Sequence, residues 1–109
     1  MKIRIKQAVL TDILAKGAIA ALTDEAQGDT TVYGPMLQSV KIRVDATHVT
    51  VESAIKTLAC QFKSPIDPQQ VVVKEEGEVM VLAKELCDWV KRQPDSDIVI
   101  NLKKFDSLN

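Results

Sequence analysis

The stretch that decides the fold is residues 81–98, which read VLAKELCDWVKRQPDSDI. Four apolar side chains in it recur at the spacing of one helix face: Ala83, Leu86, Cys87 and Val90. This pattern predicts an amphipathic helix over residues 83–92, and Pro94 lies just past its end, where a proline is tolerated. Three apolar residues then occupy alternating positions: Ile98, Ile100 and Leu102. The stretch therefore predicts a helix followed by a half-buried strand.

Upstream, the chain begins with another strand–helix pair. Residues 2–6 alternate apolar and basic side chains, which predicts a strand, and residues 8–22 carry an apolar stripe at helical spacing. Gly17 weakens this helix, and it either ends the helix or lets another backbone approach closely. Residues 23–35 are polar and rich in turn formers, so they are the best candidate for a mobile loop.

The middle of the chain has the alternation of β-strands. Residues 36–46 predict a long strand, and residues 36–53 predict a hairpin. One face of the long strand carries Val40, Ile42, Val44 and Ala46. The next strand, at Leu58 to Phe62, is out of phase with Ile55, which indicates a bulge or a break near Lys56. Two apolar runs around residues 74–78 give a second hairpin signal. The predicted order is β-α-β-β-β-β-α-β, an α+β fold in which two helices pack on a mostly antiparallel sheet.

The composition is that of one soluble globular domain spanning residues 1–109. The chain has 109 residues, of which 46% are hydrophobic and 27% charged, and its formal net charge is −1. Compact nucleic-acid binders are usually basic, because neutralised phosphates supply most of the affinity. Any contact with DNA would therefore need positive charge gathered on one face. The N-terminus has neither a signal peptide nor an apolar run long enough to span a bilayer, which favours the cytoplasm and no membrane partner.

The chemistry-bearing residues do not form a catalytic pattern. Cys60 and Cys87 lie among apolar neighbours without a CxxC pair, which is typical of buried, reduced thiols. His48 is the sole histidine, and it falls in a predicted turn. The acidic run at residues 75–78 is more typical of a soluble hairpin tip than of a cation site. We therefore predict a protein that is not an enzyme, with no catalytic residues, no metal site and no cofactor.

The order of elements resembles one domain of the bacterial DNA sliding clamp, the ring that holds the replicative polymerase on DNA. The opening Met1-Lys2-Ile3-Arg4-Ile5 is similar to the start of the clamp subunit. Gly34-Pro35-Met36-Leu37 resembles the family's turn into its second strand. The most specific likeness is in residues 81–98, where the family has a strand ending in Ala, a helix with a central Asp, then a basic residue and Pro before an acidic turn. The chain most resembles the first of the three domains of that subunit.

The resemblance implies a processivity factor that encircles duplex DNA without reading its sequence. Its partners would be other clamp domains or subunits in the ring and a DNA polymerase. The DNA-facing candidates are Lys16, Lys84, Lys91 and Arg92. Glu85 and Asp88 dilute this patch, so an ordinary solvated helix face is an equal alternative. Residues 23–35 contain no Arg or Lys, so the arginine with which the family's loop reaches DNA has no counterpart here.

The resemblance also leaves open a function other than that of a processivity ring. In the family, a further hairpin follows the strand at residues 98–102 and closes the ring, and we expect this chain to lack it, because Asn109 falls inside or before it. In the alternative, the chain is a small protein-binding module, such as one that a phage or mobile element encodes, and it acts through an exposed edge strand without binding DNA. The interface candidates are Trp89, Ile98, Ile100 and Leu102. For Trp89, packing in the core and contact with another domain both remain open.

Overall fold

The structure is a computed structural model, and it describes residues 1–101. The strands are β1 (Lys2–Lys6), β2 (Ser39–Val44), β3 (His48–Ile55), β4 (Leu58–Pro65), β5 (Val71–Glu75), β6 (Gly77–Leu82) and β7 (Asp97–Asn101). The helices are α1 (Gln7–Gly17), α2 (Asp24–Gln27), α3 (Gly34–Leu37) and α4 (Ala83–Lys91), with a 3-10 turn at Ala20–Leu22. Leu102 and the region of the expected missing hairpin lie outside the described residues.

The strands form two sheets, a division that the sequence pattern did not specify. One sheet has the strand order β5-β1-β7 and the other β4-β3-β2-β6. Every pairing between these strands is antiparallel. The predicted α+β class and the antiparallel pairing are therefore confirmed. No helix within residues 1–101 is long and apolar enough to cross a membrane.

The predicted hairpin around residues 74–78 is wrong. β5 pairs with β1 in the three-stranded sheet, whereas β6 pairs with β2 in the other sheet, so the chain crosses between sheets at Glu76. Gly77 lies close to the N-terminus at this crossing, and a Cβ added there would lie 3.2 Å from the Met1 nitrogen. Two apolar runs joined by a short polar link look the same in a hairpin and in a crossing, because the pattern does not encode the partner strand.

The interruption near Lys56 is a break and not a bulge. Lys56 and Thr57 form a two-residue turn between β3 and β4, and Ile55 pairs with Leu58 across it. Five strands consequently lie between the two long helices, one more than in the predicted order. The long strand predicted from residue 36 begins only at Ser39, because Met36 and Leu37 belong to α3, and Ala46 is exposed in the turn after β2.

The first long helix is shorter than predicted, and Gly17 explains why. Gly17 is the last residue of α1, and a Cβ there would lie 2.5 Å from both Cγ1 and the carbonyl oxygen of Val51. The Ser53 hydroxyl donates a 2.8 Å hydrogen bond to the Gly17 carbonyl oxygen. Both sequence-based interpretations of this glycine, helix end and close backbone approach, are confirmed.

Residues 23–35 contain the one-turn helix α2 and the start of α3, and the Gln38 side chain helps to hold this loop. The Gln38 amide donates to the carbonyl oxygens of Ala26 at 3.0 Å and Asp29 at 3.2 Å. The Asp29 carboxylate accepts from the Thr31 hydroxyl and the Thr31 N–H, and these hydrogen bonds lower the pKa of Asp29. The predicted mobility of this loop stays a prediction.

The two sheets share one core with α1 and α4. The inner face of the three-stranded sheet contributes Ile3, Ile5, Val71, Ile98 and Ile100. These side chains pack in the same cluster as the inner face of the four-stranded sheet, which contributes Val40, Ile42, Val44, Val49, Val51 and Val79. One face of each sheet and one stripe of each long helix are thereby withdrawn from water, which leaves the remaining faces for binding.

Candidate nucleic-acid interface

The candidate surface is the exposed side of α4. The helix is anchored at its start by the Ala83 N–H, which donates to the Gln38 carbonyl oxygen at 2.9 Å. Ala83 and Val90 are buried, as predicted, whereas Leu86 and Cys87 are only half-buried. The helix therefore presents its polar side chains to solvent in a fixed orientation.

Lys84 and Lys91 are both exposed, and their seven-residue separation places them within about 20° on the helix surface. Within residues 1–101 neither takes part in an ion pair. Asp88 lies between them on the same side, and Glu85 lies near Arg92, which directly follows the helix. The structure thus brings the two lysines together, but within a surface of mixed charge.

Lys16 lies apart from this pair. The Gln7 amide donates a 3.2 Å hydrogen bond to the Val90 carbonyl oxygen, so the Gln7 side of α1 faces α4. Nine residues are two and a half turns, which puts Lys16 on the opposite side of α1. There its ammonium group forms a 3.0 Å ion pair with Asp12 and lies 4.8 Å from the centre of the Phe62 ring. Lys16 is therefore the weakest of the four DNA-facing candidates.

The interface candidates differ in which of their groups are exposed to a partner. Trp89 is 37% exposed, so its side chain lies at the margin of the packed face of α4, and both of its predicted roles stay predictions. Among residues 1–101, β7 pairs with β1 on one side only, and the side chains of Ile98 and Ile100 are buried in the core. These two residues would offer a partner only their main chain. Their role as an interface stays a prediction.

The two cysteines are half-buried rather than buried. Burial raises the pKa of the Cys87 thiol, an effect that Lys91 partly offsets. His48, which was predicted to lie in a turn, is the first residue of β3, and its Nδ1 is 2.8 Å from the Thr47 hydroxyl. The Asp45 carboxylate accepts from the N–H groups of Thr47 and His48 at 2.8 Å each, and these hydrogen bonds lower the pKa of Asp45.

A groove of about 400 Å³ lies on the outer face of the four-stranded sheet. Its floor is apolar, with Met36, Ala54, Ala59 and Met80 from four different elements. The rim residue Lys41 contacts Glu78 at 2.6 Å and Glu52 at 3.6 Å, and Arg43 contacts Glu78 at 3.4 Å, so two cations offset two carboxylates. Sequence patterning did not predict this groove, because its lining comes from segments far apart in the chain. Among residues 1–101, no group of three or more His, Cys, Asp or Glu could hold a metal ion.

Known proteins resemble this chain both in sequence and in structure. No protein-family model matches the chain. The beta sliding clamp of Halalkalibacterium halodurans is 31% identical over 72 residues, which is 63% of this chain and 19% of that protein. Among solved structures, the DNA polymerase sliding clamp of Bacillus subtilis superimposes on 94% of this chain with a TM-score of 0.77 and 20% identity.

The chain has the fold of a bacterial sliding-clamp domain. The Helicobacter pylori beta clamp, solved with a DNA ligase peptide, also superimposes on 95% of this chain, with a TM-score of 0.72 and 16% identity. The chain spans about a fifth of the length of the curated relative and about a quarter of these two clamp structures. The predicted resemblance to the clamp is confirmed at the level of the fold.

Proposed function

We propose that this clamp-fold chain is a non-enzymatic part of a processivity ring that encircles duplex DNA and tethers a replicative polymerase in the cytoplasm. The observation that carries the proposal is the superposition on a DNA polymerase sliding clamp over 94% of the chain at a TM-score of 0.77. The exposed Lys84 and Lys91 on α4, which form no ion pair within residues 1–101, supply the contact with the phosphate backbone. Other clamp domains or subunits complete the ring.

A ring explains how a chain with a net charge of −1 serves DNA. Phosphate contacts position a protein on the duplex without reading its sequence, so a ring that uses only such contacts remains free to slide. Once the ring is closed, retention depends on topology and not on tight binding. Two lysines among Glu85 and Asp88 then suffice to keep the duplex centred, because few phosphates need to be neutralised.

The test is a double charge reversal, Lys84→Glu with Lys91→Glu, with binding to a random-sequence duplex measured by fluorescence anisotropy. We expect weaker binding at low salt. We also expect a dependence of log K on log salt that is shallower by about 1.8, since the slope is roughly 0.9 per phosphate contact. The matched control reverses Lys56 and Lys63, two exposed lysines of the β3–β4 hairpin without ion pairs in residues 1–101. Equal binding by the two variants would remove Lys84 and Lys91 from the site.

The mass in solution, measured by analytical ultracentrifugation at working concentration, tests the ring itself. We expect an assembly large enough to surround a duplex. A strict monomer that also fails to bind DNA at low salt would contradict the ring as a property of this chain.

The second candidate is a protein-binding module that uses an edge strand without touching DNA. The observation in its favour is the position of β7, a five-residue strand that within residues 1–101 lies at the edge of the three-stranded sheet. An edge strand offers main-chain groups to a partner strand. A stable assembly with the mass of a ring would contradict this second candidate. A monomer whose duplex binding is absent even at low salt would favour it over the ring.

A further inference from the structure

The outer face of the three-stranded sheet carries a line of basic side chains that the clamp proposal does not use. Lys2, Arg4 and Lys6 alternate along β1 with the buried Ile3 and Ile5, and β1 is the central strand of its sheet. Because alternate residues of a strand point to opposite faces, the three basic side chains point away from the core. We call them the basic ladder.

The basic ladder is electrostatically unsatisfied. Within residues 1–101, none of its three side chains has an ion pair, whereas Lys16, Lys41 and Arg43 are each paired with a carboxylate. Two acidic residues lie across from its ends, Glu75 opposite Lys2 and Asp97 opposite Lys6, but neither approaches the lysine within 4.0 Å. An anionic partner would therefore meet positive charge that is free to bind it.

The middle of the ladder has apolar surroundings. The cross-strand neighbours of Arg4 are Val72 and Val99, which are 44% and 52% exposed. A carboxylate that reached Arg4 would be flanked by these two side chains, which exclude water and so strengthen the ion pair. The exposed valines would also contact the aliphatic carbons of an acidic side chain, which removes apolar surface from water.

We propose that the basic ladder binds an extended, acidic segment of a partner protein. Alternate residues of the ladder are about 6.6 Å apart, and acidic side chains at alternate positions of an extended peptide repeat at the same distance. Single-stranded nucleic acid is the less suitable partner, because such sites stack bases on aromatic side chains and the outward residues of β1, β5 and β7 are not aromatic. A membrane surface is also less suitable, because three strands span only about 10 Å.

The probe for this proposal is a synthetic peptide with three glutamates at alternating positions in a threonine-rich sequence, with a glutamine analogue as control. Binding to the full chain is measured by isothermal titration calorimetry at low salt, and NMR shows which amides respond. We expect the glutamate peptide to bind and the glutamine peptide not to bind. The largest amide shifts are expected at Arg4, Val72 and Val99.

Variants assign the binding to the ladder. Arg4→Glu with Lys6→Glu should weaken peptide binding about tenfold or more, since two attractive pairs become repulsive. The Lys56 and Lys63 reversal carries the same change in net charge and should alter binding by less than about twofold, because the hairpin lies away from this face. Arg4→Gln with Lys6→Gln removes the charge more mildly, and circular dichroism confirms that both ladder variants remain folded.

Several outcomes would overturn the proposal. They are a wild-type chain that ignores the glutamate peptide, equal losses in the ladder and hairpin variants, and tighter binding of duplex DNA or phosphatidylserine vesicles than of the peptide through Arg4 and Lys6. The Lys84 and Lys91 reversal should leave peptide binding unchanged. Failure of the clamp proposal and failure of this one are therefore distinguishable, because each depends on its own pair of basic residues.

Discussion

At the scale of single residues, Gly17 is a position where the fold leaves no room for a side chain. Any side chain there would meet Val51, including its main-chain oxygen at 2.5 Å, which cannot rotate away. We expect Gly17→Ala to lower the free energy of unfolding by about 1–3 kcal/mol, as for other overpacked cores. Urea denaturation followed by the fluorescence of Trp89 measures this loss.

Asp12→Ala provides the control on the same helix, because Asp12 is exposed and its partner Lys16 is exposed too. We expect this substitution to change the free energy of unfolding by less than about 0.5 kcal/mol. If Gly17→Ala unfolds at the same urea concentration as the wild type, the close approach of α1 and β3 is contradicted.

Individual residues also show what the sequence could predict of the site. The proximity of Lys84 and Lys91 follows from helical spacing alone, and the structure has them on one side of α4. The isolation of Lys16 could not be predicted, because it depends on which side of α1 faces α4. The partial exposure of Trp89 likewise depends on how far the neighbouring elements extend around the helix, which no local pattern records.

At the scale of elements, local patterns predicted the helices and strands well and their partners poorly. α4 was predicted almost to the residue, because its apolar stripe and the following Pro94 are local signals. The separation of β5 and β6 into two sheets was not predicted, because strand pairing is decided by long-range packing of Val71 and Val79 in the core. Turns were predicted in part. The turn at residues 45–48 was predicted, whereas the sequence left open whether the interruption near Lys56 is a bulge or a break.

The β2–β3 hairpin has a pH-sensitive turn. The Asp45 carboxylate is held by the N–H groups of Thr47 and His48, which lower its pKa. A lowered pKa in the folded state contributes stability that is present above the ordinary aspartate pKa of about 3.9 and is lost as the pH falls through the folded-state value. We expect Asp45→Ala to lower the melting temperature at pH 7, and the difference from the wild type to shrink below about pH 4.

Thermal unfolding by circular dichroism from pH 7 to pH 2 measures this difference. Asp45→Asn is the control, since its side-chain oxygen still accepts hydrogen bonds but carries no charge. It should lose less stability than Asp45→Ala at pH 7. A gap between wild type and Asp45→Ala that stays constant down to pH 2 would contradict a role for the carboxylate charge.

At the scale of the whole molecule, a net charge of −1 conceals surfaces of different character. The basic ladder lies on the outer face of one sheet, and self-neutralising pairs around Lys41 line the groove on the other. The exposed side of α4 carries both signs. Composition alone argued against DNA binding, but binding is decided by local arrangement. These surfaces can therefore serve separate partners.

The shared core leads to a prediction about the stability of the whole chain. Ile5 is fully buried, and it packs in one cluster with side chains of both sheets, so removing it weakens both. We expect Ile5→Ala to cost about 2–5 kcal/mol and to lower amide-exchange protection in β3 as well as in β1. Val32→Ala is the control, because Val32 is 86% exposed and its loss should cost less than about 0.5 kcal/mol. If Ile5→Ala lowered protection only in the three-stranded sheet, the two sheets would be separate folding units, contrary to the single core.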